Sequence, residues 1–282
     1  MSRAYDQGVA RTAEREPTAR KALGQHFLRD SGVLRDIGAA VRPPPGGMVL
    51  EIGPGTGALT AELLDRGFEV VALEIEDRMV SHLTRRFPSE PRLHLALGDA
   101  RDMDTRMLMP PGRPFVVAGN LPYFAANPIV RRLLESERQP VEMVVMVQRE
   151  VAREMCGLAG GLSLLGISVQ VYAEPQLLFD VRPEAFDPPP AVTSSVIRLT
   201  VRQEPLVPRP RLPAFFELVS RTFRNPRKQI HNGLARAVWL PPEGADAALR
   251  LAGIDPTRRA ETLSVVEWLG LLDAVESVRA HA

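Results

Sequence analysis

The chain has 282 residues, 45% of them hydrophobic, enough for a sheet-sized core with a small appendage and too apolar for wholesale disorder. Basic and acidic residues number 35 and 34, a net charge of +1, so only the distribution of charge can point to a polyanionic partner. The single cysteine, Cys156, excludes a disulfide framework and a multi-cysteine zinc site. No metal-ligand set, targeting segment or apolar run of roughly 20 residues is present, so a cytoplasmic, monomeric protein off the membrane is expected.

Residues 1–20 are polar with mixed charge and read as a flexible N-terminal arm. Asp30 to Val41 has a helical pattern, closed by Pro43-Pro44-Pro45-Gly46-Gly47. Met48 to Ile52, Glu69 to Leu73, Leu93 to Leu97, Phe115 to Ala118 and Val141 to Val147 are short apolar runs suited to buried strands. Helical spacing follows the first at Leu59, Leu63 and Leu64, and recurs at Glu76 to Phe87 and Ile129 to Leu134. This alternation predicts a parallel sheet with helices on both faces, whose ligands sit at the C-terminal strand ends. Leu178 to Leu199 changes to two extended runs around Phe186-Asp187-Pro188-Pro189-Pro190, a terminal antiparallel pair. A proline-rich linker, Glu204 to Pro210, precedes helical patterns at Phe215 to Phe223, Lys228 to Val238, Ala245 to Ala252 and Val265 to Val275. The expected architecture is α/β: a Rossmann-like sheet over residues 21–203 and a small all-helical C-terminal domain over 211–282.

Gly53-Pro54-Gly55-Thr56-Gly57 joins the first strand to its helix. A pyrophosphate site uses G-x-G-x-x-G; here the spacing is G-x-G-x-G, and Glu51 precedes it. An acid there disfavours a pyrophosphate and suits a ligand ending in a cationic amino-acid group, as S-adenosyl-L-methionine does. Glu74, ending the second strand, can accept from both ribose hydroxyls, and Asp99, ending the third, from an adenine amine. An NAD-dependent oxidoreductase is the alternative that this spacing disfavours.

Asn120-Leu121-Pro122-Tyr123 follows the fourth strand. The exocyclic amine of a base is a poor nucleophile because its lone pair is delocalised into the ring. Two acceptors aimed at its two hydrogens, the Asn120 side-chain oxygen and the Leu121 carbonyl, would orient it toward a methyl group. Pro122 stiffens the turn, and Tyr123 offers a face for stacking. Catalysis is then positioning and electrostatics, on a base swung out of its stack. Basic residues concentrate near the C-terminus: Arg221, Arg224, Arg227, Lys228 and Arg236 lie in a stretch with no acid, and the chain's only lysines are Lys21 and Lys228.

Together Lys21 to Leu28, Glu51 to Gly57, Asn120 to Tyr123 and Phe186 to Val192 resemble the motifs of the ribosomal RNA adenine dimethylase family, from about Arg20 to the chain's end and less clearly beyond Ala235. The resemblance implies dimethylation of two adjacent adenines near the 3′ end of 16S rRNA within the small ribosomal subunit, with a second role in subunit assembly. It implies that His26 and Leu28 fold over the cofactor, and that Gly53, Glu74, Asp99 and Asn120 complete its pocket. It further implies that Asn120, Leu121 and Tyr123 hold the target base with Phe186 on its other face, and that Lys21, Arg221, Arg224, Arg227 and Lys228 contact RNA phosphates. The rival within the family is the macrolide-resistance type of large-subunit adenine methyltransferase, which more often has Ile between Asn and Pro. The chain departs from the family pattern at Phe124-Ala125-Ala126-Asn127, where Asn usually follows Tyr, between Cys156 and Ser163, and at Asn225-Pro226.

Overall fold

The computed structural model describes residues 17–20, 24–158, 160–224 and 228–281. Its strands are β1 (Phe27–Leu28), β2 (Met48–Ile52), β3 (Val70–Glu74), β4 (Leu93–Leu97), β5 (Phe115–Asn120), β6 (Glu142–Gln148), β7 (Ala173–Val181), β8 (Phe186–Asp187) and β9 (Ser194–Val201). Its first seven α-helices are α1 (Ser31–Ala40), α2 (Ala58–Asp65), α3 (Asp77–Arg86), α4 (Thr105–Leu108), α5 (Ala126–Leu134), α6 (Arg149–Met155) and α7 (Leu164–Gln170). Four more close the chain: α8 (Leu212–Thr222), α9 (Ile230–Ala237), α10 (Gly244–Leu251) and α11 (Val265–Ala280).

Seven strands form one sheet in the order β4-β3-β2-β5-β6-β9-β7. β4, β3, β2, β5 and β6 run parallel, while β9 is antiparallel to both β6 and β7. The strand order reverses between β2 and β5, which opens a crevice at their C-terminal ends. Period-two alternation divides each central strand between two cores. Met48, Leu50 and Ile52 join the cluster on the α5 face, and Val49 joins that under α1 and α2.

Local signals start the helices. The Asp30 side chain accepts from the amides of Gly32 and Val33 to cap α1, and Ser264 with Glu267 forms a capping box on α11. The sequence pattern misses α6, α7 and a second, two-stranded sheet. In that sheet Leu28 of β1 pairs with Phe186 of β8. The linker does not isolate the C-terminal helices: Tyr172 stacks on Phe216 at 6.4 Å, and the Leu206 amide donates to the Val171 carbonyl. Trp268, Leu218 and Phe215 belong to the same continuous cluster as Leu50 and Val145.

Candidate active site

A cavity of about 300 Å³ lies at the strand-order reversal, lined by the ends of β2, β3 and β5 and by residues 24–28. The turn after β2 gives it a bare backbone wall. Gly53 has φ +67°, and a side-chain carbon built on it would meet no atom within 4 Å. Only glycine takes that conformation without strain and leaves that space open.

Three carboxylates line the cavity. Glu51 is 1% exposed and accepts from the Thr60 hydroxyl of α2 at 2.7 Å. Burial pushes its carboxyl up to about 8, with the Thr60 bond opposing and the nearby Glu74 charge adding. Glu74 is also raised by burial, against three backbone amides, those of Gly55, Ile75 and Glu76, that donate to it. Neither acid has an arginine on it in this cavity, so a cation entering would relieve both. Asp99 differs. Arg101, two residues on, donates to both of its oxygens and holds its carboxyl below the usual range.

Asn120 ends β5, and its Nδ2 donates to the His26 carbonyl at 3.0 Å, which leaves Oδ1 free to accept. The Gly119 backbone just before it runs so close to β2 that a side-chain carbon there would lie 2.6 Å from the Ile52 carbonyl oxygen. The Leu121 amide donates to the Met146 carbonyl of β6 and anchors the turn. Tyr123 bonds Ser194 at 2.8 Å through its hydroxyl and stacks on His26 with ring centroids 5.9 Å apart. His26 in turn bonds the Pro188 carbonyl through Nδ1 at 2.7 Å.

The structure thus gathers His26, Leu28, Gly53, Glu74, Asp99, Asn120, Leu121 and Tyr123 around one cavity. Phe186 lies elsewhere. Its ring is 4% exposed and packs with Leu28 and Val196 in the core under α1, outside the cavity lining. Arg221, Arg224 and Lys228 are exposed on or beside α8 and α9, whereas Lys21 and Arg227 lie outside the described residues. Ser194, Thr60 and Arg101 carry no signal legible in the sequence, because each reaches its partner only through the tertiary fold or a loop turn. Nor did the sequence show that residues 17–20 and 24–28 are fastened. Arg78 bonds the Thr18 carbonyl and Gln25, Arg20 pairs with Glu76 at 2.9 Å, and Gln25 donates to Glu76.

The profile of the ribosomal RNA adenine dimethylases matches residues 17–276. The chain belongs to that family. It is accordingly an rRNA methyltransferase, which removes the oxidoreductase alternative. A protein of Dehalococcoides mccartyi named ribosomal RNA small subunit methyltransferase A is 39% identical over 250 residues, 89% of this chain and 86% of the relative. A protein of the same name from a Synechococcus species is 41% identical over 268 residues, 91% and 93% of the two chains. Among solved structures, the 23S rRNA methyltransferase ErmE superposes with a TM-score of 0.71 at 29% identity, covering 89% of the enzyme and 99% of ErmE. A dimethyladenosine transferase from Plasmodium falciparum gives 0.76 at 24% identity over 90% and 98%, a likeness of fold.

S-adenosylmethionine fits the residues present. Its amino-acid and sulfonium cations suit a cavity with two buried carboxyls, its ribose hydroxyls suit Glu74, and the open backbone at Gly53 admits a close approach.

Proposed function

We propose that the enzyme uses S-adenosylmethionine to dimethylate the exocyclic amines of two adjacent adenines near the 3′ end of 16S rRNA within the small ribosomal subunit, in the cytoplasm. Bound in the cavity, that cofactor supplies a methyl group on a sulfonium already activated for departure. Gly53, Glu74 and Asp99 hold it, with His26 and Leu28 folded over the mouth. Asn120 Oδ1 accepts one hydrogen of the flipped adenine's amine, and the Leu121 carbonyl accepts the other. Both acceptors draw the amine out of conjugation and support the positive charge that develops on nitrogen. Tyr123 offers its ring face to the base, steadied by Ser194 and His26. Arg221, Arg224 and Lys228, with Lys21 and Arg227, contact phosphates and position the RNA without reading its sequence.

One observation carries the mechanism: the Asn120 amide is fixed by its bond to His26 at the edge of the cavity that Glu74 and Asp99 also line. The small-subunit substrate is supported by the names of the relatives at 39% and 41% identity and by Leu121, where the large-subunit branch more often has Ile. The test is transfer of tritiated methyl groups to undermethylated small and large subunits, with the modified nucleoside identified by mass. Dimethyladenosine in the small subunit is expected, and Asn120→Ala should lower turnover by roughly 100-fold or more with the cofactor dissociation constant nearly unchanged. Methylation confined to large subunits, or near-normal turnover of the variant, would count against it.

A further inference from the structure

The turn after β5 carries two aromatic residues that diverge. The Ala125 amide donates to the Pro122 carbonyl, so Tyr123 and Phe124 occupy the two central turn positions. Tyr123 is drawn inward by its bond to the fully buried Ser194. Phe124 is 59% exposed yet still lines the cavity, so its ring stands at the rim. The ring edge faces Gly24 of the fastened segment, where a side-chain carbon would lie 3.7 Å from it. The rim therefore holds a braced phenyl group with more than half its surface open, one residue from the proposed target-base stacker.

We infer that Phe124 is a stacking platform for the unpaired nucleotide flanking the flipped adenine. The inference rests on the adenine-methylating function proposed above. With one of two adjacent adenines in the cavity, its neighbour on the strand emerges at the mouth, where this ring is. Aromatic stacking tolerates any base, because every base has a π-face. That tolerance matters here. Once the first adenine is dimethylated it has lost both amine hydrogens, so any contact that depended on accepting from them would be lost. A phenyl ring receives the unmodified and the dimethylated neighbour alike, so it serves both rounds of transfer.

The test compares the full-length protein with Phe124→Ala, Phe124→Leu and Phe124→Tyr on undermethylated small subunits. Cofactor binding is measured in parallel by calorimetry. The Ala and Leu variants should lose roughly 5- to 150-fold in kcat/KM for subunits, through KM. Tyr should stay within a few-fold of wild type, and all should bind S-adenosylmethionine within about twofold. Leu performing as well as Tyr would reduce the ring to an apolar contact and overturn the inference. So would an unaffected Ala variant, or cofactor affinity falling in step with activity. Wild-type protein inactive on small subunits would bring down the proposed function itself, and this inference with it; an active wild type beside an unaffected Ala variant removes the platform alone.

Discussion

Glu51 is the most buried carboxylate among the described residues. Its carboxyl sits at the end of a fully buried strand, bonded to Thr60 and raised to about 8 by burial. Unfolded, it would titrate near 4.5. Between those values the native chain holds a proton that the unfolded chain releases, so this group's contribution to stability is full below pH 4.5 and is lost as pH rises through 8. The slope approaches about 1.4 kcal/mol per pH unit. Glu51→Gln keeps the Thr60 bond and removes the titration. Thermal unfolding of both proteins from pH 5 to pH 9 should show the wild type losing ground to the variant across that range, with the difference levelling above about 8. Parallel curves would mean that Glu51 is ionised in the free enzyme. Residue type and strand end were enough to single out Glu51, Glu74, Asp99 and Asn120 from the sequence. Their protonation and partners were not legible, since these depend on Thr60, Arg101 and the His26 carbonyl, none of which shares a periodic pattern with them.

At the scale of elements, the active site depends on a two-stranded sheet too short to carry any hydrophobic period. β1 is held on β8 by the Leu28–Phe186 pairing, and the Arg29 and Asp30 amides both donate to the Ala185 carbonyl. This pairing delivers the His26 carbonyl to Asn120. Side chains of facing residues in a paired strand share a side, which places Phe186 with Leu28 in the cluster under α1, while only Leu28 also reaches the cavity wall. The motif singled out Phe186, but its place in the core cluster beside the cavity depends on the β1–β8 pairing and was not legible. From this packing, Phe186→Ala should destabilise the protein by about 3–5 kcal/mol and lower cofactor affinity by loosening the segment over the mouth. Phe186→Leu should keep most methyl transfer and most stability. Measuring melting temperature and transfer for the two variants side by side separates the roles: a stable Leu variant that has lost transfer would return Phe186 to the target base.

The whole molecule reconciles a net charge of +1 with an RNA substrate by pairing many of the described arginines with its own carboxylates. Arg211 pairs with Asp273 and Glu276, Arg258 with Glu267, Arg198 with Glu142, and Arg113 with Glu69. These contacts join the start of α8 to α11, the loop before α11 to that helix, β9 to β6, and the segments leading into β5 and β3, so they belong to the fold. Arg224, Lys228 and Arg236 are exposed and have no acidic partner among the described residues, while Arg221 shares its charge with Glu217 at 2.8 Å. Sequence clustering found the basic stretch but could not sort committed arginines from uncommitted ones, because whether a side chain reaches its partner, as Arg221 reaches Glu217 or Arg211 reaches Asp273, is decided by the fold. The linker marked where the helical segment begins, but not that Tyr172, Phe216 and Trp268 pack that segment onto the core of the sheet. Counterion release turns this sorting into a measurement, since each phosphate contact steepens the fall of affinity with salt. Binding of small subunits across a range of monovalent salt should show a modest slope for wild type. Arg224→Ala with Lys228→Ala should reduce that slope by roughly one to two, with the melting temperature unchanged. Arg211→Ala should do the reverse, lowering the melting temperature and leaving the slope alone. An unaltered slope in the double variant would move the RNA-contacting surface off this end of the molecule.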